Sequence, residues 1–427
     1  MSATTIAALL IFAITYVLAS LRRVPWLNLD RPGVALLGAV AMVLCGALPL
    51  EEAWRAVNLD TLALLLGMMV VIAYLRLARF FEAFAATLVR VARSPRELLV
   101  GLVFAAGLLS ALFVNDTICL LFTPILLAAT KSAGLPPLPY LLALCTASNV
   151  GSVATLTGNP QNMLIGIFSG IGYGRFLAVQ LPIALLSLAL VALLLLFLFR
   201  RELPAAWPRE AVAGRRVHRA LLGRLLGVVA LVLAGFLLPI ERLVPGLSAG
   251  QKLPLVALAG AVMAMVVGRY KPARAFAHVD FGLLVFFSGL FVVVAGLART
   301  GLLEQLHAAL APRMAGGVGR EVALFSAFTV VGSNLVSNVP FVLVARDWID
   351  AFANRELMWL VLATASTFAG NLTLVGSVAN LIVAEQAKEV APIGFLAYLR
   401  VGLPVTLLTT AVAVAALAAL ATFTSWI

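Results

Sequence analysis

Charge is scarce in this chain, and histidine and cysteine are scarcer. Of 427 residues, 11% are charged and 63% hydrophobic, with three histidines and three cysteines. Mean hydropathy is +1.10. Soluble domains carry about 25% charged residues, so most of this surface is built for a bilayer and no stretch remains for a separate soluble domain. Cys45, Cys119 and Cys145 lie in apolar segments without metal-ligand spacing; they read as buried free thiols. His218, His278 and His307 fall in or near loops. With no Cys/His cluster and no set of clustered catalytic side chains, an intramembrane enzyme has nothing to work with. Gly316-Gly317-Val318-Gly319 lacks the preceding strand that a dinucleotide site requires.

What is present is a succession of apolar runs, among them Ala3 to Ser20, Gly33 to Leu50, Thr61 to Ala78 and Leu177 to Phe199. A spanning helix needs ~20 such residues. Arg22 and Arg23 follow the first run instead of preceding it, the reverse of a cleaved signal, so that run reads as a retained helix. The net charge of +12 sits mainly in short loops, which points to orientation in a membrane and away from nucleic acid. Positive charge stays cytoplasmic, which puts Arg22 to Arg31, Arg76 to Arg96, Arg200 to Arg224 and Arg269 to Arg274 on one side. The loops with Glu51 and Glu52, Arg175, and Glu241 to Lys252 face the other. This closes with ten crossings only if Glu97 to Thr130 and Glu321 to Ala351 turn back as re-entrant hairpins. A conventional arrangement of twelve helices stays open.

An offset of 222 lays Gly67 on Gly289 and Glu82 on Glu304; an offset of 223 lays Ser110 on Ser333 and Asn115 on Asn338; an offset of 218 lays Gly158 on Gly376 and Asn162 on Asn380. The matches keep their order, and an odd number of crossings per half turns the second copy upside down. The expected fold is therefore all-α and integral to the membrane: two inverted repeats with about 10–11 transmembrane helices, two re-entrant hairpins and two broken helices. Repeat 1 covers 1–200, with its hairpin at about 97–132 and broken helix at about 137–170; a cytoplasmic linker covers 201–221; repeat 2 covers 222–427, with its hairpin at about 320–351 and broken helix at about 357–390.

Polar residues interrupt the apolar background at matched places. The hairpin tips read Phe113-Val114-Asn115-Asp116-Thr117 and Val336-Ser337-Asn338-Val339-Pro340. The broken helices carry Ser148-Asn149-Val150-Gly151 with Gly158-Asn159-Pro160-Gln161-Asn162, and Thr367 to Asn371 with Thr373 and Gly376 to Asn380. Irregular backbone at membrane depth is tolerated only around a cavity, and an unwound joint offers carbonyls to a cation and N–H groups to an anion. The candidate binding residues are Ser110, Asn115, Asp116, Thr117, Ser148, Asn149, Gly151, Gly158, Asn159 and Asn162, with Ser333, Ser337, Asn338, Thr367, Gly370, Asn371, Thr373, Gly376 and Asn380 in the second half. Asp116 stands out, since an acid at mid-membrane costs ~2.5–3.5 kcal/mol on insertion scales and is commonly paired or functional. It suits either a cation or an exchangeable proton.

At these residues the chain resembles the ion transporter superfamily that holds the divalent-anion/sodium symporters, the arsenite efflux permeases and the melanosomal P protein. It is most similar to a bacterial anion transporter branch, whose elements match Asn115-Asp116, Gly158 to Asn162 and Ser337 to Pro340. The resemblance covers nearly the whole chain. It implies a sodium ion (Na+) at Ser110 and Asn115 and another at Ser333 and Asn338, with substrate held by Asn115, Ser337 and Asn338. It also implies a homodimer working as an elevator, and a bacterial inner membrane location. Val114, Asp116 and Val339 depart from the Ser-Asn-Thr tips of the dicarboxylate symporters, and the first tip is as similar to the arsenite permeases. The expected activity is secondary transport of a small inorganic or organic anion, by symport with Na+ or H+ and with no resident cofactor. Arsenite or antimonite efflux, sodium/proton antiport and a passive ion channel are the alternatives.

Overall fold

The computed structural model describes residues 2–20, 29–203, 219–242, 244, 246–314 and 316–423. Most of the linker expected at 201–221 lies outside them, as do Arg22, Arg23 and His218. Every element among the described residues is a helix. The first half contains α1 (Ala3–Ser20), α2 (Arg31–Leu44), α3 (Leu50–Ala56), α4 (Leu59–Leu77), α5 (Phe80–Val91), α6 (Pro95–Leu112), α7 (Asn115–Ser132), α8 (Pro137–Ser152), α9 (Pro160–Ser169) and α10 (Tyr173–Leu198). The second contains α11 (Arg219–Leu237), α12 (Ala249–Val267), α13 (Pro272–Phe276), α14 (Phe281–Ala298), α15 (Leu302–Met314), α16 (Val318–Val336), α17 (Asn338–Ala345), α18 (Arg355–Ala369), α19 (Val378–Ala387) and α20 (Phe395–Phe423). Among the described residues, seven helices are long and apolar enough to cross a membrane: α4, α6, α10, α11, α12, α14 and α20; α1 and α2 are shorter apolar helices. The chain is a multi-pass membrane protein.

Local chemistry sets the helix starts. Asn58 accepts the Thr61 N–H to open α4, and Asp280 accepts the Leu283 N–H to open α14, each satisfying a donor that has no partner within the helix. The two caps stand 222 residues apart, the same offset that relates Gly67 to Gly289.

The halves exchange partners. Helix α4 packs on α12, and α14 packs on α2. A Cβ on Gly67 would lie 2.6 Å from the Ala257 carbonyl carbon, and one on Gly289 would lie 2.6 Å from that of Ala35. Both contacts sit at the offset of 222, so the same close approach is built twice with the contributors swapped. Small residues let membrane helices meet backbone to backbone. Gly67→Val and Gly289→Val are each expected to lower stability by about 1–3 kcal/mol through overpacking, read as similar drops in the thermal midpoint in detergent. A drop at only one of them contradicts the exchange.

The hairpins follow the same rule. Helix α6 packs on α8 and α16 on α18, while α7 leans on α19 and α17 on α9. Each hairpin's returning arm thus rests on the broken helix of the other half.

One segment read as a basic loop, Arg76 to Arg96, contains α5 and the ends of its two neighbours. Its Phe81 and Ala85 are buried while Glu82 and Arg90 face outward. Phe81 meets Phe113 and Phe122 edge-on, at 5.9 and 6.5 Å between ring centroids. The charges that suggested a loop occupy the outer face of an amphipathic helix that braces the first hairpin.

Candidate functional site

Four helix starts carry the polar residues singled out in the sequence. The α6 helix stops at Leu112, the chain turns through Phe113 and Val114, and α7 starts on Asn115. In the second half the turn is Ser337, at φ 74° and ψ 155°, before α17 starts on Asn338. That conformation is nearly confined to glycine and costs about 1–3 kcal/mol in other residues. Such strain persists where the surroundings over-determine it, and it gathers at functional turns. The joints of the broken helices end in N-caps: Asn159 accepts the Asn162 N–H to open α9, and Ser377 accepts the Ala379 N–H to open α19.

The polar side chains around these starts form one buried network, with Asn149 at its centre. Asn115 Nδ2 donates to Asn149 Oδ1 at 2.9 Å, and Ser377 Oγ donates to the same oxygen at 3.0 Å. Asn149 Nδ2 in turn donates to Asn371 Oδ1 at 2.9 Å and Asn380 Oδ1 at 3.0 Å. Every amide direction in this chain is pinned. Asn371 Nδ2 donates to the Thr146 carbonyl, and Asn380 Nδ2 donates to the carbonyls of Gly370 and Thr373 at 2.7 and 3.2 Å.

The offset of 218 reproduces much of this. Asn162 Nδ2 donates to the carbonyls of Ser152 and Thr155 at 3.3 and 3.0 Å, as Asn380 does to Gly370 and Thr373. Asn159 Nδ2 reaches Thr367 Oγ1 at 3.2 Å, as Ser377 reaches Asn149. The Asn115 N–H also donates to the Gly158 carbonyl at 3.0 Å, tying hairpin to joint.

Of the buried side-chain atoms without a hydrogen-bond partner among the described residues, five are oxygens of the hairpins and joints: Ser110 Oγ, Asn115 Oδ1, Ser333 Oγ, Asn338 Oδ1 and Asn162 Oδ1. A buried polar atom left unpaired costs about 1–3 kcal/mol, and native structures rarely keep one without a reason. Four of the five form two sets at the offset of 223, Ser110 with Asn115 and Ser333 with Asn338. The C-terminal ends of α8 and α18 lie in the same region, and carbonyls there favour positive charge. The N-terminal ends of α7, α9, α17 and α19 favour negative charge. No Arg or His is buried among the described residues, and the buried Lys252 pairs with Glu241 at 3.2 Å.

The remaining candidates fall into two groups. Gly370 and Thr373 serve the network through their carbonyls, and Thr373 Oγ1 also donates to Asn334 Oδ1 at 3.0 Å. Gly151 permits a close approach to Gly107, whose backbone would lie 2.2 Å from an added Cβ, and Gly376 does the same beside Asn334. Ser148 is turned elsewhere, toward Cys119 Sγ at 3.1 Å and the Cys145 carbonyl. The Ser337 side chain is exposed and Thr117 is half-buried. The half-buried Asp116 carboxylate takes a hydrogen bond from the Ala379 backbone, and the Arg31 and Asp280 charges act on it with opposite signs.

Four contributors are not among the residues singled out above, although Ser377, Thr155 and Gln161 lie within the two joints. Ser377 and Thr155 hold the joints, the latter by donating to the Ala111 carbonyl; Asn334 Nδ2 donates to the Ala369 carbonyl at 2.9 Å; Gln161 Nε2 donates to Thr367 Oγ1 at 3.4 Å. Ser377 was findable as the partner of Asn159 at the offset of 218. Asn334 falls opposite Ala111 at the offset of 223, so a search for matched polar pairs passes over it.

Comparisons with known proteins agree with this architecture. A family model described as citrate transporter matches residues 7–369. The silicon efflux transporter LSI3 of Oryza sativa subsp. japonica is 32% identical over 463 residues, covering 94% of this chain and 95% of that one. The transporter arsB of Dictyostelium discoideum is 27% identical, covering 90% of this chain and 86% of that one. Among solved structures, the YdaH transporter of Alcanivorax borkumensis superposes with a TM-score of 0.61 at 18% identity, covering 98% of both chains.

Proposed function

We propose that this chain, which belongs to the citrate transporter family, is a secondary active transporter of a small anion or its parent oxyacid, driven by Na+ or H+ and working as an elevator. The observation that carries the reading is the pair of open oxygen sets, Ser110 with Asn115 and Ser333 with Asn338. Oxygens without donors, beside the C-terminal ends of half-helices, suit a small hard cation. The helix N-termini opposite suit the anion. The hydrogen bonds that tie each hairpin to its own broken helix and the two broken helices to each other support their moving as one body, while the exchanged pairs α4 with α12 and α14 with α2 supply a frame. The homodimer and the bacterial inner membrane are carried over from the family resemblance.

A second reading narrows the solute to arsenite or silicic acid moving outward. No Arg or His residue is buried among the described residues and the Arg31 charge falls on Asp116, which favours it, because a multiply charged carboxylate would enter an amide-lined site without a counter-charge of its own. The named relatives for silicon efflux and arsB give it further support.

The test is transport in liposomes of the purified chain, with arsenite, silicic acid and citrate offered under an imposed sodium or pH gradient. Accumulation against a gradient is the expected result. Flux that ignores both gradients, with single-channel steps in a planar bilayer, would mean a passive pore. Asp116→Asn separates the driving ions: it keeps an oxygen for the Ala379 backbone and removes the charge. It is expected to leave sodium-driven uptake within about threefold of the parent and to cut proton-driven uptake about tenfold.

A further inference from the structure

The two halves of the network differ at one position, and the difference leaves an acceptor open. The offset of 218 lays Asn149 on Thr367 and Asn380 on Asn162. Asn380 Oδ1 receives the Asn149 amide at 3.0 Å. Thr367 stands where the other half has Asn149 and has no amide to give, and Asn162 Oδ1, the counterpart of Asn380 Oδ1, is buried without a partner. Its direction is set by Asn162 Nδ2, which is committed to the carbonyls of Ser152 and Thr155. Asn162 and Asn159 are fully buried, Thr367 is 2% exposed and Gln161 4%.

We propose that Asn162 Oδ1 is a single-copy solute position, distinct from the two paired cation positions, that accepts a hydrogen bond from a hydroxyl of the transported acid. This rests on the transport reading above and deepens it. The surroundings select a hydroxyl over a cation. Asn159 Nδ2 commits both hydrogens, to Ser152 Oγ at 2.8 Å and Thr367 Oγ1 at 3.2 Å, while Gln161 Nε2 donates to Thr367 Oγ1 at 3.4 Å and keeps its second hydrogen, which repels a cation. A hydroxyl donates to the carbonyl oxygen while its own oxygen accepts from such a hydrogen. A fully ionised carboxylate has only acceptors and leaves Asn162 Oδ1 unpaired. The transported form therefore keeps at least one O–H, as arsenous acid and orthosilicic acid do.

Thr367→Asn supplies the missing amide and closes the position. In detergent without solute, this variant is expected to unfold at the parent's temperature or above. In liposomes its half-saturation for arsenous and orthosilicic acid is expected to rise about tenfold, with the half-saturation for sodium unchanged. Should Thr367→Asn not assemble, Asn162→Ser withdraws the acceptor from the other side and is read by the same two titrations, with loss of acid affinity and retention of sodium affinity expected. Equal acid half-saturation in parent and variant means that water alone occupies the position and overturns the proposal. An equal loss for acid and sodium overturns it too, since the position is then structural. If the parent responds to sodium but to neither acid, the oxyacid reading and this proposal both fall. If the parent moves both acids and Thr367→Asn does so equally well, only this proposal falls.

Discussion

Asn115→Ala and Asn338→Ala are each expected to reduce gradient-driven transport by roughly 10–100-fold, through a raised half-saturation for the driving cation. Each substitution removes one open oxygen from a cation set, and a contact to a charged group is worth about 1.5–3 kcal/mol, or roughly 10–100-fold in affinity. A sharper form of the test uses the hydroxyls. Ser110 Oγ and Ser333 Oγ have no hydrogen-bond partner among the described residues, so no hydrogen bond of the fold is lost with them. Ser110→Ala and Ser333→Ala should therefore leave thermal stability in sodium-free buffer unchanged or raised. The extra stability that sodium confers by binding the folded state should fall in both. A residue kept only for packing would show the reverse, with a lower midpoint at every sodium concentration. Thermal melts across a sodium series distinguish the two outcomes in one experiment, and a sodium increment equal to the parent's in all four variants would remove the cation positions from these residues.

Much of this arrangement can be read from the chain because lipid makes polar residues conspicuous. Asn115, Asn162, Asn338 and Asn380 stand out from runs of Leu, Ala and Val, and equal offsets relate them in pairs. The folded chain gathers all four at the helix starts and joints. Two kinds of information are less accessible. The first is direction. Asn149 and Asn162 look equivalent as letters, yet Asn149 uses both ends of its amide on other side chains while Asn162 keeps an oxygen free. Only the surrounding carbonyls decide which way an amide faces. The second is what falls outside the offsets. Helix α5 looks like a charged loop until Phe81 finds Phe113 and Phe122, and Asn334 acts against the Thr373 side chain where the first half uses the Ala111 carbonyl against Thr155. Departures from symmetry are where the two halves stop being interchangeable, and Asp116 opposite Val339 belongs with Thr367 opposite Asn149 in that group.

That asymmetry leads to the other large effect, at Asn149. Its side chain is 2% exposed and has no capacity left for a guest, since four hydrogen bonds to Asn115, Ser377, Asn371 and Asn380 use both ends of the amide. It is a positioning residue that holds the first hairpin against both broken helices. Asn149→Ala strands several buried groups at about 1–3 kcal/mol each, and the expected result is a chain that assembles poorly and melts far below the parent. Asn149→Asp is the more telling change. A ligand asparagine replaced by aspartate keeps an oxygen for a cation and commonly keeps some function. Here the new oxygen would face Asn371 Oδ1 and Asn380 Oδ1, whose own amides are held by backbone carbonyls and cannot turn to donate. Asn149→Asp should therefore be at least as damaging as Asn149→Ala at neutral pH. Asn149→Thr, which repeats the choice made at Thr367, still accepts from Asn115 and Ser377 and should be the mildest of the three. Thermal midpoints and monodisperse yield in detergent rank the series, and an aspartate variant more stable than the alanine one would show that the amide at Asn149 faces the other way.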